Sequence, residues 1–209
     1  MPRVSLETAI EEVRKRDPIL DRLIAKAGLI RHRPKNPYGH FGTLARAIVY
    51  QQLAGRVATI ILERVIAAAG GELTAKALAR TSDKKLRAAG LSANKLASLR
   101  DLSAKTSSGD VDLESLSKTA DEEVIAELTT IRGIGRWTAE MYLMFELRRL
   151  DIWPVDDFGV RMGYGLTWKI DPAPTAKQLA PLGDRFRPYR SIVARYCWEA
   201  VALSRSSKR

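Results

Sequence analysis

Apolar residues recur along almost the whole of this chain at the three-and-four spacing of a helix, and no stretch alternates with period two for long enough to make a strand. That periodicity predicts an all-α fold, divided by glycine, proline and capping residues. In SLETAIEEVRKRDPILDRLIAKAG, Asp17 before Pro18 reads as an N-cap followed by a proline at the first helical position, so two helices abut there. RHRPKNPYGHFG is a connection. Thr43 then precedes one long helix, LARAIVYQQLAGRVATIILERVIAAAGG, which Gly70-Gly71 stops. Shorter helices follow over LTAKALAR, TSDKKLRAAG and LSANKLASLRDLSAK, with TSSGD as a loop. SKTADEEVIAELTTI and GRWTAEMYLMFELRRL are read as helices joined by the hairpin RGIG, and the SRSSKR end is expected to fray.

Charge narrows the partners. Among 209 residues, 35 Lys+Arg against 24 Asp+Glu leave a net +11, a field that favours polyanions: nucleic acid or an anionic membrane surface. No apolar run approaches a membrane span, and MPRVSLETAI lacks the apolar core of a signal peptide. The expected location is cytoplasmic, nucleoid-associated in a prokaryote. The single Cys197 excludes an internal disulfide and a cysteine-ligated iron–sulfur cluster. His32 and His40 have no H-E-x-x-H, C-x-x-C or acidic loop beside them, so they read as loop or surface residues and no metal site is expected.

The hairpin in IRGIGRWTAE is the segment that suggests chemistry. Gly133 and Gly135 permit backbone conformations closed to other residues and let a second chain approach closely. Amides at the start of the following helix, as far as Thr138, lack intrahelical acceptors and carry the positive end of the helix dipole, so a phosphate can dock on them. Arg132 and Arg136 would add charge. Standing alone, a G-x-G is better explained as a tight helix–helix turn.

Its context decides more. LTTIRGIGRWTA resembles the helix-hairpin-helix of DNA repair glycosylases, and about twenty residues further on DIWPVDDFGVR resembles the segment that holds that superfamily's catalytic aspartate. RAIVYQQLAG is similar to the DNA-wedge helix of the alkylpurine branch (the 3-methyladenine DNA glycosylase II type), GLSANKLASLRDLS to its middle helices and RPYRSIVARYCW to its C-terminal pocket helix. Together these cover roughly residues 38 to 200 in family order, without the amino-terminal β-domain of some bacterial members. The resemblance implies two lobes with the active site in the cleft between them. One lobe would span 38–148 and carry the helix-hairpin-helix at about 121–146; the other would combine 1–37 with 149–209.

It also implies an activity: hydrolysis of the N-glycosidic bond of an alkylated purine flipped out of damaged double-stranded DNA, leaving an abasic site. A carboxylate beneath the sugar stabilises the developing cation and orients or deprotonates water. Of the adjacent acids, Asp157 matches the family's catalytic position, and Asp156 is read as the helix N-cap or second candidate. Superfamily members that also cut the strand carry a lysine two residues after the second hairpin glycine. Tryptophan stands there in this chain, at 137, so no Schiff base can form and no lyase activity is expected. Trp137 and Trp198 would offer aromatic faces to a cationic base, worth roughly 0.5–2 kcal/mol each, and Met141 would soften the pocket floor. Core packing is the alternative for both tryptophans. Leu53 matches the wedge that enters the vacated stack, with Gln51 and Gln52 available to hydrogen-bond base edges. Arg190 and Ser191 are placed near the cleft, Arg190 holding Asp157, a phosphate or a structural carboxylate; Tyr189 is packing or pocket edge. Lys95 and Arg161 are candidates for phosphate contacts.

No cofactor is expected, apart from a monovalent cation that superfamily hairpins sometimes hold on backbone carbonyls, and a monomer is expected. Two alternatives remain open: a relative preferring deaminated or etheno bases, and a non-catalytic helix-hairpin-helix DNA-binding module.

Overall fold

The computed structural model describes residues 4–206, and side-chain caps open many of its helices. Ser5 accepts from the Thr8 amide to start α1 (Leu6–Arg16). Asp17 accepts from the Ile19 and Leu20 amides to start α2 (Pro18–Ala27), where Pro18 supplies a helical φ in the first turn. Next come α3 (Gly39–Tyr50) and α4 (Gly55–Ala68). Thr74, Ser82 and Ser92 cap α5 (Ala75–Arg80), α6 (Asp83–Ala88) and α7 (Ala93–Ser108). The remaining helices are α8 (Asp121–Thr129), α9 (Arg136–Phe145), α10 (Phe158–Trp168), α11 (Ala176–Leu182) and α12 (Arg190–Ser206). The described residues contain no strand, and none of their helices is long and apolar enough to cross a membrane.

Several boundaries differ from the sequence reading. The single long helix after Thr43 is two helices. The first begins at Gly39, placing Thr43 inside it, and ends at Tyr50; Gln51–Ala54 form a turn in which Gln52 holds φ +56°. Apolar spacing stays in register on both sides of the break, so the pattern alone does not disclose it. The last helix of the hairpin stops at Phe145 rather than Leu150, because the amides of Glu146 and Leu147 both turn back to the Tyr142 carbonyl and Arg148 takes φ +56°. TSS belongs to α7, which ends at left-handed Gly109. Ser204–Ser206 continue α12, and the rest of the SRSSKR end lies outside the described residues.

The chain forms two units, one made of the residues up to Arg33 together with those from Arg148 on, the other of Pro34–Leu147. In the first, α12 packs on α10, α2 and α1. Val13, Leu20, Val160, Tyr164, Val193 and Tyr196 are buried there, each aliphatic side chain contributing roughly 1.5–3 kcal/mol. The crossing of α10 and α12 is very close: a Cβ on Gly163 would stand 1.9 Å from the Cys197 carbonyl oxygen. Burial pushes the Cys197 thiol well above its ordinary pKa, with the nearby Asp157 charge adding to the shift. Beneath these helices the Asp17 carboxylate is buried yet satisfied. One oxygen caps α2; the other accepts from Trp168 Nε1 at 2.9 Å and pairs with Arg185 at 3.0 Å.

In the second unit, α3 packs against α4, α7 and α9, α5 and α6 lie on α7, and α8 lies on α9. Leu44, Ile48, Leu86, Leu99, Leu102, Val124, Leu128 and Leu143 fill this core.

Candidate functional site

The acid pair occupies the entry to α10. Pro154 ends a buried segment, and the Asp157 amide turns back to the Pro154 carbonyl, which sets Asp157 at the N-cap. Its Oδ1 accepts from the Val160 amide at 2.8 Å and from Trp198 Nε1 at 2.9 Å. The sequence reading gave the cap to Asp156; the structure gives it to Asp157 and leaves Asp156 exposed. The register is physical, since an N-cap side chain reaches the amide three residues on, and only position 157 stands three before Val160. Two N–H donors on one oxygen fix the carboxylate's orientation. Gly159 makes room for the second donor, because a Cβ there would lie 2.8 Å from Trp198 Cδ1 and 3.1 Å from Asp157 Oδ1. Trp198 is thus partly buried and tied to the acid through its N–H, a role that spacing along the chain does not reveal.

Arg190 is held elsewhere. Its guanidinium grips Asp151 through Nε at 2.8 Å and Nη2 at 3.0 Å, which selects the structural carboxylate from the three partners foreseen. Ser191 is buried and stitches the same strap: its Oγ donates to the Arg149 carbonyl and accepts from the Ile152 amide, both at 2.8 Å. Together they anchor the start of α12 to residues 149–152, the segment that leads to Asp157. Tyr189 packs under the Arg16 guanidinium. Arg161 lies near the Phe158 ring, and its Nε is buried with no partner among the described residues.

In the other unit, the hairpin between α8 and α9 is pinned by buried Ile131 and Ile134, whose backbones close a turn through the Ile134 amide and the Ile131 carbonyl at 3.0 Å. Gly133 takes φ +79° and a Cβ there would stand 2.5 Å from Ser98 Oγ, so glycine is required. Gly135 differs from expectation. At φ −96° and ψ 172° any residue fits, and a Cβ would meet open space, so this glycine keeps the surface low rather than permitting a rare conformation. No side chain caps α9. Arg132 is exposed, and its amide donates to Asp101. Arg136 departs from its expected phosphate role: it forms a bidentate pair with Glu122 at 2.6 and 3.0 Å and a third contact to Glu140. That pairing holds the Glu122 carboxyl below its ordinary value. Thr138 has a buried side chain, so only its backbone can serve an anion. Trp137 is 50% exposed, which removes the core alternative; Met141, one turn on, is half-buried.

The turn after α3 carries Leu53, exposed at 37%, and Gln52, also exposed. Gln51 does not reach outward as expected; its Nε2 donates to the Gly133 carbonyl at 2.7 Å. Lys95 likewise gives up the phosphate role, donating to the Val49 carbonyl at 2.6 Å, and burial pushes its ammonium pKa down. His40 accepts or donates at Tyr142 Oη at 2.8 Å and lies 3.4 Å from Glu146, which also accepts from Thr43. Sequence reasoning missed this cluster, which joins α3 to the end of α9 across a separation of about a hundred residues. Among the described residues no group of three or more His, Cys, Asp or Glu is placed to hold a metal ion.

Residues 45–187 match the model of the HhH-GPD superfamily base excision DNA repair proteins. The chain belongs to that superfamily. DNA-3-methyladenine glycosylase 1 of Schizosaccharomyces pombe is 34% identical over 177 residues, 83% of this chain and 76% of that protein. The crystal structure of a DNA-3-methyladenine glycosidase from Bacillus halodurans superposes with a TM-score of 0.86 at 34% identity, covering 95% of this chain and 91% of the other. A 3-methyladenine DNA glycosylase from Schizosaccharomyces pombe, solved with abasic DNA, gives 0.78 at 31% identity, over 91% and 95%.

Within this HhH-GPD chain, α7 does work no motif announces. Along one face, Lys95 holds the end of α3, Ser98 backs Gly133, Asp101 takes the Arg132 amide at 2.6 Å and Lys105 donates to the Thr130 carbonyl at 2.5 Å. The three- and four-residue spacing of these positions is visible in the sequence, but their backbone partners are not.

Proposed function

We propose that this protein is a monofunctional DNA glycosylase that removes alkylated purines, of the 3-methyladenine and 7-methylguanine class, from duplex DNA and leaves an abasic site. The observation that carries the reading is the Asp157 carboxylate, fixed at a helix N-terminus by Val160 and Trp198. When the glycosidic bond breaks, the electron pair leaves with the base and positive charge spreads over the sugar ring. Asp157 stabilises that charge, and water adding to the anomeric carbon passes its proton to the carboxylate. A purine methylated at N3 or N7 already carries a positive charge and departs neutral, so little general-acid assistance and no cofactor is needed. The remaining role for a cation is a monovalent ion on the hairpin carbonyls.

Hairpin amides from Gly135 to Thr138 grip a phosphate without reading sequence, supported by the net +11 charge. Leu53 enters the stack where the base is extruded, at a cost of roughly a few kcal/mol. Trp137 offers an aromatic face to the base and supplies no amine for strand cleavage. The protein works as a monomer on damaged DNA.

The test incubates duplexes, each holding one defined lesion, with the protein and then cleaves abasic sites with alkali. Release of methylated purines is expected, and their retention in every duplex refutes the reading; preferential release of deaminated or etheno bases shifts the substrate class. Borohydride should trap no covalent adduct, and an adduct refutes the monofunctional assignment.

A further inference from the structure

The turn bearing Leu53 is poorly held by its own backbone. Its two local hydrogen bonds, Gln51 amide to Ile48 carbonyl and Leu53 amide to Tyr50 carbonyl, are both 3.4 Å long, at the weak end of the range. Between them Gln52 sits at φ +56°, a region that side chains other than glycine, asparagine and aspartate rarely occupy. A strained residue inside a weakly bonded turn persists only if its surroundings dictate it. Three side-chain contacts do so. The Tyr50 and Thr59 hydroxyls meet at 2.8 Å across the turn. Lys95 closes the last turn of α3 through the Val49 carbonyl, and the Gln51 side-chain Nε2 donates to the Gly133 carbonyl at 2.7 Å.

The Gln51 contact joins the two parts of the surface to which opposite tasks fall. Gly133 lies two residues before the N-cap of α9, at the tip assigned to the phosphate; Leu53 lies two residues after Gln51, at the tip assigned to the base stack. Gly133 lies in a turn closed by the Ile134 amide and the Ile131 carbonyl, both residues being buried, with Ser98 close against it, so the bond runs from a weakly held turn to a well-held one. Leu53 therefore depends on the hairpin as well as on α3 for its position.

We propose that Gln51 is a positioning residue that couples the phosphate-gripping hairpin to the base-displacing turn, setting Leu53 in the register needed to open a paired base. This rests on the glycosylase reading above. The coupling matters only while a base pair must be broken; a lesion already outside the stack bypasses it.

The experiment measures single-turnover release of one methylated purine from a fully paired duplex and from the same duplex with the lesion in an unpaired bubble. Gln51→Met keeps the side chain's length and removes its donor. It should slow release from the paired duplex roughly three- to tenfold, as expected for one hydrogen bond, and leave the bubble substrate within about twofold. In a Leu53→Ala background the same substitution should cost nothing more, because Gln51 acts through Leu53. Equal slowing on both substrates, a loss that tracks the identity of the opposite base, or a full further loss in the Leu53→Ala background each overturns the coupling while leaving the glycosylase reading intact. A wild-type protein that releases nothing from either substrate overturns both.

Discussion

Replacing Asp157 separates what the carboxylate does for the fold from what it does for the reaction. Two groups lean on its Oδ1: the Val160 amide at 2.8 Å and the Trp198 indole N–H at 2.9 Å. Asparagine presents an amide oxygen at the same place and is as good an N-cap as aspartate, so Asp157→Asn should stay within about 1 kcal/mol of wild type. Alanine removes the cap, costing about 0.5–2 kcal/mol, and strands a partly buried indole N–H, costing about 1–3 kcal/mol. Asp157→Ala should therefore be destabilised by roughly 1.5–5 kcal/mol, read by urea denaturation. Excision should not follow the same order. Both variants lack the charge that meets the sugar cation and should lose about a thousandfold in single-turnover rate, equivalent to about 4 kcal/mol. Asp156→Asn alters an exposed acid without a capping role and should keep both stability and rate. Asp157 does not hold both roles if Asp157→Asn excises within tenfold of wild type, if it is as unstable as the alanine variant, or if Asp156→Asn is the inactive one.

Trp198→Phe keeps an aromatic ring but removes one donor to a charged acceptor, so excision should fall between about ten- and a hundredfold; an unchanged single-turnover rate would show that the indole N–H only packs. Gly133→Ala meets both φ +79° and Ser98 Oγ and should lose about 1–3 kcal/mol in a thermal melt. Gly135→Ala meets neither obstacle and should melt like wild type while binding duplex DNA more weakly by fluorescence anisotropy; equal effects in both assays would contradict the distinction. Glu122 has its pKa lowered by Arg136, so its contribution is present above the ordinary value of 4.5 and is lost as pH falls through the lowered folded value. The stability gap between wild type and Glu122→Gln should be under about 1 kcal/mol at pH 7, because the pair is exposed, and should close in acid titrations below that value.

What the sequence disclosed and what it withheld divide along a physical line. Glycine at 133, proline at 18 and the acid pair at 156–157 act over a few residues, so their meaning lies in the residues beside them. The choice between Asp156 and Asp157 depends on the turn that follows Pro154, which neither acid's propensity decides. The break after Tyr50 is less legible still. The groups that meet its backbone and side chain are Lys95 and the Gly133 carbonyl, 46 and 82 residues away, and the helical pattern runs straight through it. Arginines misled for a related reason. A net charge of +11 describes a field, and a field says nothing about which guanidinium groups remain available. Arg136 is committed to Glu122 and Glu140, and Arg190 to Asp151, so these two guanidinium groups are structural, whereas Arg132 beside Gly133 is exposed. Under the proposed function, the hairpin's hold on a phosphate then falls chiefly on backbone amides, with Arg132 beside them, and among substitutions only proline removes such an amide. Its sensitivity should lie instead in what shapes the backbone: Gly133, Ser98 behind it, and the isoleucines that staple the turn.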